Sequence, residues 1–238
     1  MIFAAGLGTR LQPLTHNLPK ALAPFNGRPL LWHAIKSVEQ AGAERVIVNV
    51  HHFAHQIIDY LQSNDWGLDV CISDETDQLL DTGGGLVKAK SLFIAQKPIL
   101  IRNVDIISSA DMDAFLKAHQ QGGNAATLMV KQRNSSRYLS FDEQMRLCGW
   151  KNINTGEHID VCQVHSSVDL AFSGVHIVEP PLVEAMGDVR PFSIIQAYLS
   201  LAAQHRIVGY RVSNEVPWFD VGTIEKLKEA ELYYKSGK

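Results

Sequence analysis

Three cysteines, Cys71, Cys148 and Cys162, are odd in number and lack C-x-x-C spacing, so neither a disulfide framework nor a thiolate metal site is suggested. No dense run of lysine and arginine occurs. With 22 basic against 25 acidic residues the formal charge is −3, which excludes a general pull toward nucleic acid or anionic lipid. Tryptophans and tyrosines are not interleaved with basic residues, as a surface that stacks nucleic-acid bases would require. No apolar run approaches the roughly 20 residues of a bilayer span, and Met1 leads directly into a glycine loop instead of a basic segment and a cleavage site. These absences predict a reduced, cytoplasmic, soluble chain without nucleic-acid or membrane partners. No internal repeat or low-complexity linker divides residues 1–238, so a single domain with a sizeable core is expected.

What is present is concentrated near the start. Met1–Ala5 reads as a buried strand, and Gly6 and Gly8 then let the backbone amides from Ala5 to Thr9 face phosphate oxygens. Arg10 follows as a planar donor that can bind two oxygens, and Lys20, between Pro19 and an apolar run, adds a point charge. Two cations and an amide nest suit a tetra-anionic ligand such as a nucleoside triphosphate. The loop has no third glycine near Leu11 and no Gly-Lys-Ser/Thr, so it is neither a dinucleotide fingerprint nor a Walker loop.

Strand and helix patterns alternate behind the loop. Pro29 opens a helix whose apolar residues Leu30, Leu31, Ala34, Ile35 and Val38 recur at helical spacing up to Gly42. Strands follow at 46–50, 68–73, 98–103 and 125–131, with helices at 53–61, 86–93 and 111–121 between them. The fold class is α/β, a Rossmann-like, mostly parallel sheet with helices on both faces. From Gln132 to about Asp169 short turn-rich segments predict a small antiparallel insertion at the carboxyl edge of the sheet, where a substrate wall belongs. Helices at 181–186 and 192–205, a strand at 207–212 and a helix at 223–234 complete the pattern.

Three further constellations carry chemistry. Asp81-Thr82-Gly83-Gly84-Gly85 precedes a helix and would let backbone amides and the Thr82 hydroxyl approach a base or ribose. The strand ending at Asn103 is followed by Val104 and Asp105, which puts a carboxylate near the phosphate loop in a metal-ligand position. Mg²⁺ takes one or two protein carboxylates beside phosphate oxygens, and Asp220 in Trp218-Phe219-Asp220-Val221-Gly222-Thr223 offers the second. His51, His52 and His55 have no evident third metal ligand and read as polar residues at a helix start.

The pattern G-x-G-T-R-L-x-P-x-T followed by P-K-x-L-x-P, from Gly6 to Pro24, resembles the signature of the sugar-1-phosphate nucleotidylyltransferases. The resemblance implies an enzyme that joins a nucleoside triphosphate to a sugar 1-phosphate and releases pyrophosphate. It implies Arg10, Lys20, Asp105 and Asp220 as catalytic residues, with Mg²⁺ on the two aspartates. Ala5, Gly6, Gly8, Thr9, Arg10, Lys20, Asp81, Thr82, Gly83 and Asn103 would meet the nucleotide, and Gly84, Ser173 and Gly174 the sugar. Thr82–Gly85, Phe172–Gly174 and Phe219–Thr223 look like the members that act on UTP and N-acetylmuramate 1-phosphate, which implies a cell-wall nucleotide sugar. Guanylyl transfer to mannose 1-phosphate, or nucleotidyl transfer to another hexose or heptose 1-phosphate, is the alternative. A non-catalytic nucleotide-sugar sensor is the rival class. The chain departs from the family at Val104, where relatives carry glycine and a valine would narrow the pocket. It also lacks the Glu-Lys-Pro tripeptide, which leaves Lys131, Arg133 or Lys151 to hold the sugar phosphate.

Overall fold

A computed structural model describes residues 1–236. The short strand β1 (Ile2–Phe3) leads into the glycine loop, and a small hairpin, β2 (Pro24–Phe25) and β3 (Arg28–Pro29), delivers the chain to α1 (Leu30–Gln40). Pro29 stands at the N-cap of α1, and Leu30, Leu31, Ala34, Ile35 and Val38 form its buried stripe. Strand β4 (Arg45–Val50) is buried from Val46 onward, as a strand covered on both faces must be. Helix α2 (Ala54–Gln62), strand β5 (Asp69–Asp74), helix α3 (Asp81–Lys88) and strand β6 (Ile99–Asn103) continue the alternation. β1 pairs in parallel with both β4 and β6, and β4 with β5, so the phosphate loop leaves the middle of a parallel sheet.

The second half is built differently. After β7 (Ile106–Ser108), α4 (Met112–Gly122) and β8 (Ala126–Lys131), the strands β9 (Arg137–Phe141), β10 (Leu147–Asn152) and β11 (His158–Asp160) form the expected antiparallel segment. The eleven-residue β12 (Val168–Val178) then runs antiparallel to β6, β8 and β9 and ties that segment into one ten-stranded sheet. Helices α5 (Pro180–Ala185) and α6 (Ile194–Leu201), strand β13 (Ile207–Arg211) parallel to β8, strand β14 (Trp218–Asp220) and helix α7 (Ile224–Lys235) close the chain. Two large cores flank the sheet. One gathers α1, α2 and α7 through Leu31, Ile35, Ile57 and Leu227, the other α3, α5 and α6 through Leu86, Leu182 and Tyr198. Each such buried aliphatic side chain contributes about 1.5–3 kcal/mol. The α/β class with helices on both faces is therefore present, and the insertion extends the main sheet.

Four elements differ from the sequence reading. Helix α3 begins at Asp81, so the three glycines lie inside it although glycine is a poor helix former. Packing explains this: a Cβ on Gly83 would lie 2.3 Å from the Phe192 ring, one on Gly84 2.1 Å from the Arg190 carbonyl oxygen, and one on Gly85 2.6 Å from Glu75 Oε1. Strand β12 is longer than its sequence suggests, because Gly174 at φ +73° interrupts it and the register against β8 shifts between Phe172 and His176. β7 and β14 pair with each other, but three residues are too few to reveal a strand period.

The glycine contacts separate packing from loop freedom. Gly84→Ala should cost about 3 kcal/mol through the clash with backbone, lowering the melting midpoint by about 6–12 °C in a chain of this size. Gly6→Ala, whose Cβ would meet nothing within 4 Å, should leave the midpoint nearly unchanged. Calorimetry of the two variants checks this, and equal losses would refute it.

Candidate active site

The phosphate loop turns on Gly8, which has φ +68° and opens a short helical turn, Thr9–Leu11. A Cβ there would lie 3.0 Å from Lys20 Cβ and 3.2 Å from Thr15 Cγ2, and the Thr15 hydroxyl donates to the Gly8 carbonyl at 2.8 Å. Gly8 thus lets the loop fold onto the second turn, Lys20–Leu22, which follows Pro19. The backbone N–H groups of Gly6, Leu7 and Gly8 have no hydrogen-bond partner among the described residues, and Gly6, Thr9 and Arg10 are exposed. An amide nest with an arginine beside it is what a polyphosphate requires.

Beneath the loop lies a polar bridge that the sequence reading missed. Asn49 on β4 accepts from the Ala4 amide at 2.7 Å and donates to Glu75 Oε1 at 2.8 Å, while Glu75 Oε2 accepts from the Leu80 amide at 3.2 Å. Glu75 is fully buried. Burial pushes its carboxyl pKa above the usual range, with the Asn49 hydrogen bond pulling the other way. The bridge joins the start of the phosphate loop to the start of α3. Its signal in the sequence was an asparagine within the apolar run Val46–Val50.

The two aspartates meet through strand pairing. Asp105 follows β6, and β14 pairs with β7 so that Asp220 stands opposite Ile106. The Val221 amide donates to the Asp105 carbonyl at 2.9 Å, and the Gly222 amide to Asp220 Oδ1 at 3.0 Å. A Cβ on Gly222 would lie 2.8 Å from Asp220 Oδ1, 2.9 Å from Arg10 Nη2 and 3.2 Å from Asp105 Oδ2. Arg10 and both carboxylates therefore converge on this glycine, and Lys20 Nζ contacts Asp105 Oδ2. Lys226 approaches Asp220 at 3.9 Å from the rim. Two carboxylates facing a phosphate nest are a donor set that fits Mg²⁺, whose remaining ligands come from phosphate and water. Among the described residues no group of three or more His, Cys, Asp or Glu is placed to hold a metal. His51 instead bonds the Glu75 carbonyl oxygen through Nδ1 at 2.6 Å.

On the other side of Asp220 the chain offers a stacked cation. The Arg133 guanidinium lies 4.0 Å from the centroid of the Trp218 ring and donates to the Phe172 carbonyl at 2.9 Å. Burial lowers its pKa, opposed by the charge of Asp220. Trp218 Nε1 in turn donates to the Ser173 carbonyl at 2.9 Å. Gly174 touches Asn103, because a Cβ there would lie 3.0 Å from Asn103 Nδ2. Ser173 is buried and its hydroxyl has no partner among the described residues. Lys131 donates to the Val216 carbonyl oxygen and its pKa is lowered by burial. Lys151 is paired with Asp169. Of the three cations left open by the sequence, Arg133 is the one whose charge couples to Asp220.

Two sequence expectations require correction. Val104 does not narrow the site: it is buried in the core with Val221 and Leu227, on the opposite side of the chain from Asn103 and Asp105. Thr82, Gly83 and Gly84 are not presented to an open ligand surface. Thr82 Oγ1 accepts from the Ile194 amide at 3.0 Å, the Gly83 amide donates to the Phe192 carbonyl at 2.9 Å, and all three glycines are buried against residues 190–193 and Glu75. Asp81 alone of that segment remains exposed, with its own Oδ1 accepting from the Thr82 amide.

The family model described as nucleotidyl transferase matches residues 1–146. The chain is 33% identical to an N-acetylmuramate alpha-1-phosphate uridylyltransferase of Caulobacter vibrioides, over 97% of this chain and 94% of that protein. It is also 33% identical to the mannose-1-phosphate guanylyltransferase catalytic subunit beta of Danio rerio, over 93% of this chain but 60% of that protein. Among solved structures, HddC from Yersinia pseudotuberculosis superposes with a TM-score of 0.77 at 20% identity, covering 98% of this chain and 97% of that one.

The Lys20–Asp105 contact is testable as a pair, since the two side chains are only 15% and 9% exposed. Lys20→Met should destabilise the fold by about 3 kcal/mol, because it leaves a buried carboxylate unpaired. Adding Asp105→Asn to that variant should recover most of the loss. Urea unfolding of the single and double variants measures the coupling, and strictly additive losses would show that the pair does not form.

Proposed function

The chain belongs to the nucleotidyl transferase family and is a sugar-1-phosphate nucleotidylyltransferase, and from that premise we propose that it transfers uridylyl from UTP to N-acetylmuramate 1-phosphate. The observation that carries the reading is the convergence of Arg10, Asp105 and Asp220 on Gly222 with Lys20 alongside. The choice of substrates rests on the uridylyltransferase relative, which this chain matches over nearly the full length of both. The second reading, guanylyl transfer to mannose 1-phosphate, draws on the mannose relatives at similar identity. A silent sensor is disfavoured by a triphosphate nest, two carboxylates and two cations all kept in one place.

In this reading the amides from Gly6 to Thr9 and the Arg10 guanidinium hold the β- and γ-phosphates, the portion that departs as pyrophosphate. Asn103 lies at the nucleotide and Ser173 and Gly174 at the sugar. Asp105 and Asp220 would hold Mg²⁺, which when bound supplies positive charge to the reacting phosphates. Lys20 balances charge there, and Arg133, stacked on Trp218, takes the sugar phosphate in place of the absent lysine motif. A phosphate oxygen of the sugar phosphate bonds to the α-phosphorus as the α–β bridge breaks in line. No general base is required, because a sugar phosphate has a second pKa of about 6 and already carries the attacking charge at neutral pH. Placement in the cytoplasm accords with free Cys71, Cys148 and Cys162, and no helix among the described residues is long and apolar enough to cross a membrane. We read the chain as one catalytic domain.

Pyrophosphate release from UTP, GTP, CTP and dTTP, each paired with the 1-phosphates of N-acetylmuramate, glucosamine, mannose and heptose, tests the assignment. UTP with N-acetylmuramate 1-phosphate should be fastest. A preference for GTP with mannose 1-phosphate would replace the substrate assignment, and no release from any pair would favour the sensor.

Asp105→Asn and Asp220→Asn should each lower kcat by about a hundredfold or more while far-ultraviolet circular dichroism stays unchanged. Retention of most turnover by either variant in excess Mg²⁺ would remove that residue from the metal set.

A further inference from the structure

Arg102 has no role in the site described above. It lies on β6 between the aliphatic run Ile99–Ile101 and Asn103, and is 5% exposed. A guanidinium carries five N–H donors. Among the described residues, Nη2 donates to the Ile106 carbonyl oxygen, while Nε is buried and has no partner. Among the described residues no carboxylate forms an ion pair with it: Asp105 acts on it only from a distance and is already in contact with Lys20. Burial pulls the Arg102 pKa down to about 10, which leaves the side chain charged at neutral pH. A buried cation without a counter-ion is costly unless something supplies the negative charge.

Arg102 lines a cavity of about 580 Å³ between α1, the β2–β3 hairpin, the start of α4 and α7. Phe25, Trp32, His33, Lys36, Ser108 and Tyr234 form much of its wall, and none of Arg10, Lys20, Asp105 or Asp220 does. The other charges around it are committed or outlying. Lys36 pairs with Glu39 at 2.6 Å, and the Asp111 side chain accepts from the Ala114 amide at 2.9 Å as the cap of α4. His33 bonds the Phe25 carbonyl oxygen at 2.9 Å, and burial lowers its pKa, so it is neutral at neutral pH. Asp113 is exposed at the mouth and disfavours a ligand with further negative charge.

We propose that this cavity is a second ligand site, which takes a compound with one compact anionic group, a carboxylate or a phosphate, seated on Arg102 and a ring against Trp32 and Tyr234. Charge and aromatic wall both contribute: the guanidinium offers positive charge and N–H donors left over from its single hydrogen bond, and the indole and phenol offer flat apolar faces. The site is joined to the catalytic strands, since Arg102 stands on β6 beside Asn103 and donates to the Ile106 carbonyl of β7, the strand that pairs with β14.

The test uses the full chain labelled with 5-fluorotryptophan and followed by fluorine NMR, with the resonances assigned through Trp32→Phe and Trp218→Phe. Benzoate and phenyl phosphate are the anionic probes, and benzyl alcohol is the neutral control. The Trp32 resonance should shift saturably with at least one anion and not with benzyl alcohol, and Arg102→Met should weaken that anion about tenfold or more. A response to benzoate alone identifies a carboxylate ligand, and one to phenyl phosphate alone a phosphate ligand. Should Arg102→Met fail to fold, Ser109→Phe, which fills the cavity from its exposed rim, should abolish the Trp32 shift with turnover retained. Shifts confined to Trp218 beside the catalytic site, equal shifts with benzyl alcohol, or an undiminished Trp32 response in a folded Arg102→Met chain would overturn the proposal.

Discussion

The antiparallel pairing of β7 with β14 is the constraint on which the candidate site depends. It sets Asp220 opposite Ile106, binds the Val221 amide to the Asp105 carbonyl, and so brings together two carboxylates that the chain separates widely. Three-residue strands are weak on their own. Here both are supported from behind, because Val104 and Val221 bury their side chains in the core shared with α1 and α7. The same alternation that sends those valines inward sends Asp105 and Asp220 outward to the glycine loop. Gly222 completes the arrangement by having no side chain where three charged groups approach.

Charge is distributed around this point in an ordered way. Lys20 contacts Asp105, and Arg10 reaches the same glycine as the two aspartates, so two cations and two carboxylates are gathered at one point. The Lys20–Asp105 pair is largely buried, so each charge depends on the other for compensation. Glu75 is the contrasting case. Its carboxyl is fully buried, yet it accepts from Asn49 and from the Leu80 amide, so it links the phosphate loop to α3 through hydrogen bonds without an ion pair. Gly85 permits that link, because any Cβ there would meet the carboxylate.

The parallel half of the fold and the phosphate loop were legible in the sequence because each is written locally. Apolar runs such as Val46–Val50 mark strands, the stripe from Leu30 to Val38 marks a helix, and Gly6, Gly8 and Arg10 are meaningful within a few residues of one another. What depends on distant packing was not legible. Gly83-Gly84-Gly85 reads as a loop for a ligand, since nothing nearby in sequence shows that residues 190–193 press against it. Nothing near Arg133 in the sequence distinguishes it from Lys131 and Lys151, because its stacking partner Trp218 lies far along the chain. Val104 looked like an obstruction because the sequence gives no direction to a side chain just past a strand end.

The division of the sheet bears on why the reaction class is easier to read than the sugar. The glycine loop, Lys20 and Asp105 all leave the carboxyl ends of β1 and β6 within the parallel half, where in the proposed reading turn geometry and charge match a phosphate chain common to every nucleoside triphosphate. In the proposed reading the sugar meets β12 and the strand end at Lys131–Arg133, in the antiparallel half. There Ser173, Gly174 and Phe172 are core-forming strand residues as well as wall residues, and Trp218 serves both the β7–β14 pair and the Arg133 stack. A change of sugar can therefore be made by exchanging side chains on these strands while the β1–β6 pairing that carries the loop stays intact. Substrate identity is then encoded in side-chain volumes across several strands, a signal spread over contacts that only the folded chain brings together.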